Sequence, residues 1–144
     1  MNEEMTGQDK LEHGTPEWFE LVGTLMSDAA SRSSLAPDLT VSFVERYTDG
    51  TELSGGWVQG IRFDLVDGKP SYRVGVGLDE GADIVVEVTA AAARQLNLLR
   101  TNDARFAVVR DEILRSSDMR VEGDISRLGA WLESVHDPIV ERTK

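Results

Sequence analysis

The strongest constraint on the fold of this sequence is a change in the spacing of its apolar residues at Thr89. Before Thr89, apolar and polar residues alternate in short runs that are separated by turn signals such as Asp-Gly. After Thr89, apolar residues recur mainly at spacings of three and four. Alternation is typical of strands with one buried face, and the longer spacing is typical of helices with one apolar stripe. The order therefore predicts an α+β domain in which helices pack on a sheet.

Four strands are predicted ahead of Thr89. They cover about residues 41–47, 57–65, 72–78 and 83–88, and an Asp-Gly-Lys-Pro turn separates the second from the third. Short turns join strands that lie side by side and run antiparallel. We therefore expect the first three strands to form an antiparallel meander, with the fourth strand following after a further Asp-Glu-Gly turn.

Helices are predicted where a capping side chain precedes an apolar stripe. Thr15 can cap a first helix, which comes before the strands. Thr89 can cap a helix over residues 90–100, and Asn102 or Asp103 can cap the next one. These side chains can accept hydrogen bonds from the free N–H groups of a first helical turn.

The C-terminal part is predicted to contain one strand and one long helix. The strand covers about residues 119–122, and Asp124 can cap the helix that follows. Pro138 should kink or stop this helix near His136, because its ring clashes with the preceding turn. The apolar stripe of the helix consists of Ile125, Leu128, Leu132, Val135 and Ile139. The predicted order is α-β-β-β-β-α-α-β-α, with a five-stranded, mainly antiparallel sheet covered by helices.

The composition limits the kinds of partner. The chain has 26 acidic and 15 basic residues, a net charge of −11, so nucleic-acid phosphates repel it and we expect no nucleic-acid partner. It has no cysteine, which excludes disulfides and thiolate metal sites. No apolar run approaches the ~20 residues of a membrane helix, so no membrane insertion is expected. A cytoplasmic location is the default expectation.

The acidic, polar start of the chain predicts a disordered tail. Residues 1–14 carry little apolar content, so we expect them not to pack. Residues 15–144 are expected to form a single domain, because their number is typical of one domain.

The sequence contains no recognisable catalytic constellation. Its two histidines, His13 and His136, have no serine, aspartate or second histidine at triad or metal-ligand spacing. No HExxH, CxxC or GxSxG motif occurs. Asp111 and Glu112 are adjacent on a helix and point about 100° apart, which does not suit paired-carboxylate chemistry. We therefore expect no enzyme activity, no metal and no cofactor.

The second half of the chain resembles the sterol carrier protein type 2 family. The stretch ADIVVEVTAAAARQLNLL at 82–99 and the stretch FAVVRDEILRSSDMRVEGDISRLGAWLE at 106–133 have the family's succession of elements. In that succession a strand is followed by a capped helix and then by a second helix. A last strand ends on Gly-Asp, and the closing helix comes after it. The resemblance covers about residues 15–140. One departure is Ser116-Ser117, where the family often has a turn glycine before the last strand.

The resemblance implies a free-standing, bacterial-type lipid-binding domain. In that family an apolar tunnel between sheet and helices binds fatty acids, acyl-CoA, phospholipids or sterols. The terminal helix, weakened at Pro138, is then the expected lid. The apolar faces of the predicted elements supply the expected lining, which is Trp57, Phe63, Val76, Leu96, Leu99, Phe106, Ile113, Leu128 and Leu132.

Two other functions are compatible with the same sequence. One is a ligand-free structural or interaction module of the same fold, acting for instance in homodimerisation, which would expose an apolar patch over a closed interior. The other is a small enzyme for a hydrophobic substrate, such as a cone-shaped isomerase. Such isomerases place several helices before a long curved sheet, whereas here most helices follow the strands, which argues against this alternative.

Overall fold

A computed structural model of the chain describes residues 10–144. Its four helices and five strands follow one another in the predicted order. These elements are α1 (Pro16–Ser31), β1 (Val41–Tyr47), β2 (Val58–Val66), β3 (Lys69–Val76), β4 (Ile84–Val88), α2 (Ala90–Asn97), α3 (Ala104–Arg115), β5 (Met119–Glu122) and α4 (His136–Glu141). Three short 3-10 segments lie at Ser54–Gly56, Ile125–Leu128 and Ala130–Val135.

The five strands form one mixed sheet with the order β3-β2-β1-β4-β5. Strand β1 lies at its centre and pairs antiparallel with β2 and parallel with β4. The pairs β2–β3 and β4–β5 are antiparallel, so the predicted α+β class and the mainly antiparallel sheet are confirmed. The short turn after β3 suggested that the fourth strand would extend the meander beside β3, but it does not. The chain instead crosses to the other side of β1 before β4 begins.

The predicted caps are present in the structure. The side chain of Thr15 accepts a hydrogen bond from the Trp18 N–H at 3.2 Å, and Thr89 accepts one from the Ala92 N–H at 3.1 Å. Asp103, rather than Asn102, caps α3. Helix α2 ends at Asn97, three residues before the predicted end at residue 100.

The main core lies between one face of the sheet and the helices. Phe19 and Met26 from α1 pack there with Phe63 from β2, which is fully buried. The rings of Phe63 and Trp131 lie 5.4 Å apart. Trp18 donates a buried hydrogen bond of 2.8 Å to Thr143, which ties the first helix to the end of the chain.

The described part of the chain is packed from Leu11 onward. The Leu11 N–H donates to the Arg142 carbonyl oxygen at 2.7 Å, and the Lys144 N–H donates to the Leu11 carbonyl oxygen at 2.9 Å. His13 lies 2.9 Å from the Tyr47 hydroxyl through its Nε2 atom. The packed part of the chain therefore begins before the predicted boundary at residue 15, because Leu11 and His13 already contact the rest of the domain. The rest of the predicted tail, residues 1–9, lies outside the described residues.

The single terminal helix expected from the stripe is wrong. Gly129 has φ +117° and breaks the segment into two 3-10 turns, and α4 restarts at His136. The break lets Trp131 turn into the core, where its indole N–H donates to the Leu128 carbonyl oxygen at 2.6 Å. A break near His136 was predicted from Pro138, and the stripe residues Leu128, Val135 and Ile139 are still buried.

The Gly-Asp junction after the last strand depends on a close backbone approach. Gly123 has φ +89°, and a Cβ atom there would overlap the carbonyl oxygen of Asp83 at the start of β4. At the turn before β5, Ser117 adopts a positive φ of 67°, the conformation that a glycine takes most easily. The departure from the family pattern at this turn therefore leaves the turn itself intact.

Gly123→Ala should destabilise the protein more than Gly56→Ala. Both glycines have positive φ, but a Cβ at Gly56 would meet no atom within 4 Å. We expect Gly56→Ala to lower the free energy of unfolding by about 1 kcal/mol, from backbone strain alone. Gly123→Ala should cost at least about 2 kcal/mol more, because the backbone of β4 must also move. Urea denaturation of both variants measures this difference, and equal losses would contradict the close approach.

Candidate functional site

A cavity of about 290 Å³ lies between the sheet and the helices. The strands β1, β4 and β5 form its floor, and α1, α2, α3, α4 and the two 3-10 segments after β5 cover it. Most of its walls are apolar. Representative lining residues from these elements are Val22, Met26, Phe43, Val86, Met119 and Ile139.

Three of the predicted lining residues face this cavity together. Leu96 comes from α2, Phe106 from α3 and Leu132 from the second 3-10 turn of the terminal segment. The three lie on separate elements, so their convergence follows from the way the helices cross the sheet. Apolar periodicity on each element could select them but could not show that they meet.

Four other predicted residues do not line the cavity, and three of them belong to the core. Phe63 and Leu128 are fully buried in the core, and Ile113 is buried there too. Leu99 is half-buried beyond the end of α2, and only its carbonyl oxygen approaches His136, at 2.8 Å. The side chains of Phe63, Leu128 and Ile113 pack in the core, and a sequence pattern cannot distinguish such residues from those of a cavity wall.

Trp57 and Val76 do not lie on the helix-covered face. Val76 belongs to a separate small cluster with Val44 and Val58 on the opposite face of the sheet. A bulge between Val58 and Ile61 and the positive φ of Gly75 shift the alternation at this end of β2 and β3. The prediction assumed an unbroken alternation and was therefore wrong about the side of the sheet.

The glycine-rich face of β3 is occupied by a side chain. A Cβ at Gly75 would lie 2.9 Å from the Cβ of Trp57. The Arg73 guanidinium then covers the Trp57 ring, 4.4 Å from its centre. The missing side chain of Gly75 thus makes room for Trp57, and not for a ligand.

Four polar side chains also line the cavity, namely Glu45, Asn97, Arg110 and His136. The sequence analysis selected only apolar residues and missed Glu45, which alternates correctly with Phe43 and Tyr47 on the inward face of β1. A charged residue at an inward position of a central strand was the signal that could have revealed it. Its partners in the sheet are Ile61 on β2 and Val86 on β4.

Glu45 has an unusual electrostatic environment. Within residues 10–144 its carboxylate makes no hydrogen bond or ion pair. Burial raises the pKa of Glu45 from 4.5 to about 7, because water is removed from the charged form. The next inward side chain, Tyr47, also has a raised pKa, first from its own burial and then from the charge of Glu45.

His13 lies beside Tyr47, and its pKa is shifted in the opposite direction, downwards. Its ring lies 4.6 Å from the Trp18 ring and stacks at 5.6 Å on Tyr47. Burial, followed by the nearby charge of Arg94, lowers the pKa of His13 from 6.5 to about 4. This histidine is therefore neutral near pH 7 and belongs to the aromatic core beside the cavity.

The polar lining residues His136 and Arg110 contact neighbouring groups of the protein. Among residues 10–144 no group of three or more side chains converges as a metal site. His136 is already engaged with the Leu99 carbonyl oxygen, and Arg110 lies 5.6 Å above the Phe106 ring. Within the same part of the chain, no helix is both long and apolar enough to cross a membrane.

Solved structures similar to this chain exist, although no protein-family model and no curated protein matches the sequence. A crystal structure of sterol carrier protein 2 aligns with 92% of this chain and 100% of its own, at 12% identity and a TM-score of 0.53. A palmitated SCP2L2 from Aedes aegypti aligns with 85% of this chain and 94% of its own, at 16% identity and a TM-score of 0.45. A sec-alkylsulfatase from Pseudomonas sp. aligns with 73% of this chain and 13% of its own, at 19% identity and a TM-score of 0.39.

Glu45→Gln should change the pH dependence of stability. The raised pKa of Glu45 means that its contribution is fully present below about pH 4.5 and is lost as pH rises through about 7. Relative to the variant, the wild type should therefore lose about 3 kcal/mol of unfolding free energy over that range. Urea denaturation at about pH 4.5 and about pH 8 measures the difference.

The comparison with the variant removes the effect of His13. Because the pKa of His13 is lowered, both proteins lose stability as pH falls from about 6.5 towards 4. This loss of stability has the opposite pH dependence to the contribution of Glu45. It is the same in both proteins, so it cancels when their free energies of unfolding are subtracted. A difference between wild type and Glu45→Gln that does not vary with pH would contradict a desolvated carboxyl at this position.

Proposed function

We propose, from the sterol carrier protein 2 fold of this chain, that the protein binds a hydrophobic ligand without transforming it. The observation that carries this proposal is the apolar cavity between the sheet and the helices. Transfer of a chain from water to such walls is favourable by about 0.8 kcal/mol per buried methylene. Binding of this kind needs no catalytic group.

The size of the cavity supports a slender ligand. Its volume of about 290 Å³ lies at the lower end of the range of roughly 300–1,000 Å³ found for small-molecule sites. Of the ligand classes expected from the sequence, a single acyl chain suits this volume better than a phospholipid or a sterol. Acyl-CoA also fits if only its chain enters and the nucleotide stays outside.

We place the entrance of the cavity beside the end of β5. Val121 and Ile125 line the cavity there and are still 42% and 38% exposed. They face α3, whose only buried residue is Ile113. A helix that buries so little can move away at low cost in free energy. We therefore assign the role of the lid to α3.

The terminal segment suits this role less well than the sequence suggested. It carries Leu128, Trp131, Val135 and Ile139, all of which are buried. Displacing it would expose each of these side chains, at roughly 1.5–3 kcal/mol apiece. The contact between the Phe106 and His136 rings, 4.8 Å apart, is then the latch between α3 and this fixed segment.

A ligand-free interaction module remains the second candidate. Val108 and Leu114 on α3 are exposed, at 57% and 45% of their surface. Exposed apolar side chains on one helix are compatible with a protein contact, including a homodimer. The cytoplasmic location expected from the sequence is likewise still a prediction.

Leu96→Trp should block ligand uptake, whereas Leu98→Trp should not. Leu96 lines the cavity, but Leu98 is exposed and lies just past the end of α2. An indole at residue 96 would fill the space of the ligand. We expect at least about tenfold weaker binding of laurate, equivalent to about 1.4 kcal/mol, and an unchanged affinity in the Leu98 variant.

Displacement of a fluorescent fatty acid measures this difference. Thermal unfolding of both variants shows that each remains folded. Equal affinities in the two variants would contradict the cavity as the binding site. Failure of the wild type to bind both laurate and dodecylamine would favour the interaction module.

A further inference from the structure

Glu45 is the only carboxylate among the residues that line the cavity within the described chain. It projects from the central strand, so the ligand space lies directly above it. The described residues provide it with no hydrogen-bond donor and no cation. Glu45 is half-buried at the cavity wall, and charged groups withdrawn from bulk water are normally paired because an unpaired one destabilises the fold. The structure therefore leaves the partner of this carboxyl to be supplied from the cavity.

Nearby cations are already used on the other face of the sheet. Arg46 follows Glu45 in the strand but points away from the helices, where it pairs with Glu87 at 2.9 Å. Arg62, across from β1 on β2, pairs with Asp64 at 3.0 Å and with Glu80 at 2.9 Å. The alternation of the strands thus keeps both arginines away from Glu45.

The remaining polar groups of the lining do not neutralise Glu45 either. Arg110 comes from α3 and His136 from α4, and Asn97 comes from α2. The pKa of Glu45 is shifted by burial alone, with no contribution from either cation. Helix α1 and the strands β4 and β5 add apolar lining only. The charge of Glu45 raises the pKa of the neighbouring Tyr47 on β1, but no hydrogen bond joins the two side chains.

We infer that Glu45 recognises the hydrogen-bond-donating end of an amphipathic ligand, an amine or a hydroxyl, whose chain lies along the apolar walls. This inference rests on the proposed function and specifies the chemistry of its ligand. A ligand carboxylate at the same position would bring two negative charges together and should be disfavoured. An ammonium group would complete an ion pair, and a hydroxyl would donate to one carboxylate oxygen.

The preference should depend on pH near neutrality. Deprotonated Glu45 attracts an ammonium group and repels a carboxylate, and protonated Glu45 does neither. Because burial places the pKa of Glu45 at about 7, discrimination should strengthen as pH rises from about 6 to about 8.5.

The experiment compares three ligands of one chain length, decylamine, 1-decanol and decanoate, by isothermal titration calorimetry on the full chain. Wild type, Glu45→Gln and Glu122→Gln are measured at about pH 6 and about pH 8.5. Glu122→Gln removes the same charge from an exposed residue on β5 that does not line the cavity. At the higher pH the wild type should bind decylamine at least about tenfold tighter than decanoate.

Glu45→Gln should abolish that ratio and its pH dependence, and Glu122→Gln should retain both. 1-Decanol should bind wild type and Glu45→Gln with similar affinity, because the amide also accepts a hydrogen bond. An unchanged ratio in Glu45→Gln would overturn this inference while leaving the proposed function in place. Failure of all three ligands to bind the wild type would overturn both.

Discussion

The central position of β1 in the sheet is the constraint on which the rest of the structure depends. Because β1 is paired on both sides, its side chains can point only to the two faces of the sheet. Phe43, Glu45 and Tyr47 point towards the helices, and Val44 and Arg46 point away. A slip of one residue would exchange these two sets, placing an arginine under the helices and removing the floor of the cavity.

The two faces of the sheet differ in how their charged side chains are paired. On the other face, Arg62 and Arg73 both pair with Glu80, and the buried Arg46 pairs with Glu87. Each of these arginines therefore has a carboxylate partner. On the covered face, the carboxyl of Glu45 has no such partner among the described residues. This difference between the two faces is the basis of the ligand preference inferred for the cavity.

Sequence patterns predicted those features of the fold that depend on local physics. Alternation located the strands, and the side chains of Thr15, Thr89 and Asp103 marked helix starts through hydrogen bonds to their own neighbours. The crossover to β4 and the bulge before Ile61 depend on contacts distant in sequence, so periodicity could not show them. For the same reason the sequence could nominate Leu96, Phe106 and Leu132 but could not separate them from core residues such as Phe63.

Native mass spectrometry of freshly purified protein, followed by lipid extraction, tests the central claim most directly. A cavity with these walls should retain part of its ligand, so we predict a fraction of molecules with added mass that denaturation releases as a single-chain amphiphile. A mass equal to that of the bare chain, unchanged after incubation with laurate and with decylamine, would contradict a ligand-binding role. The exposed apolar side chains of α3 would then become the surface to investigate.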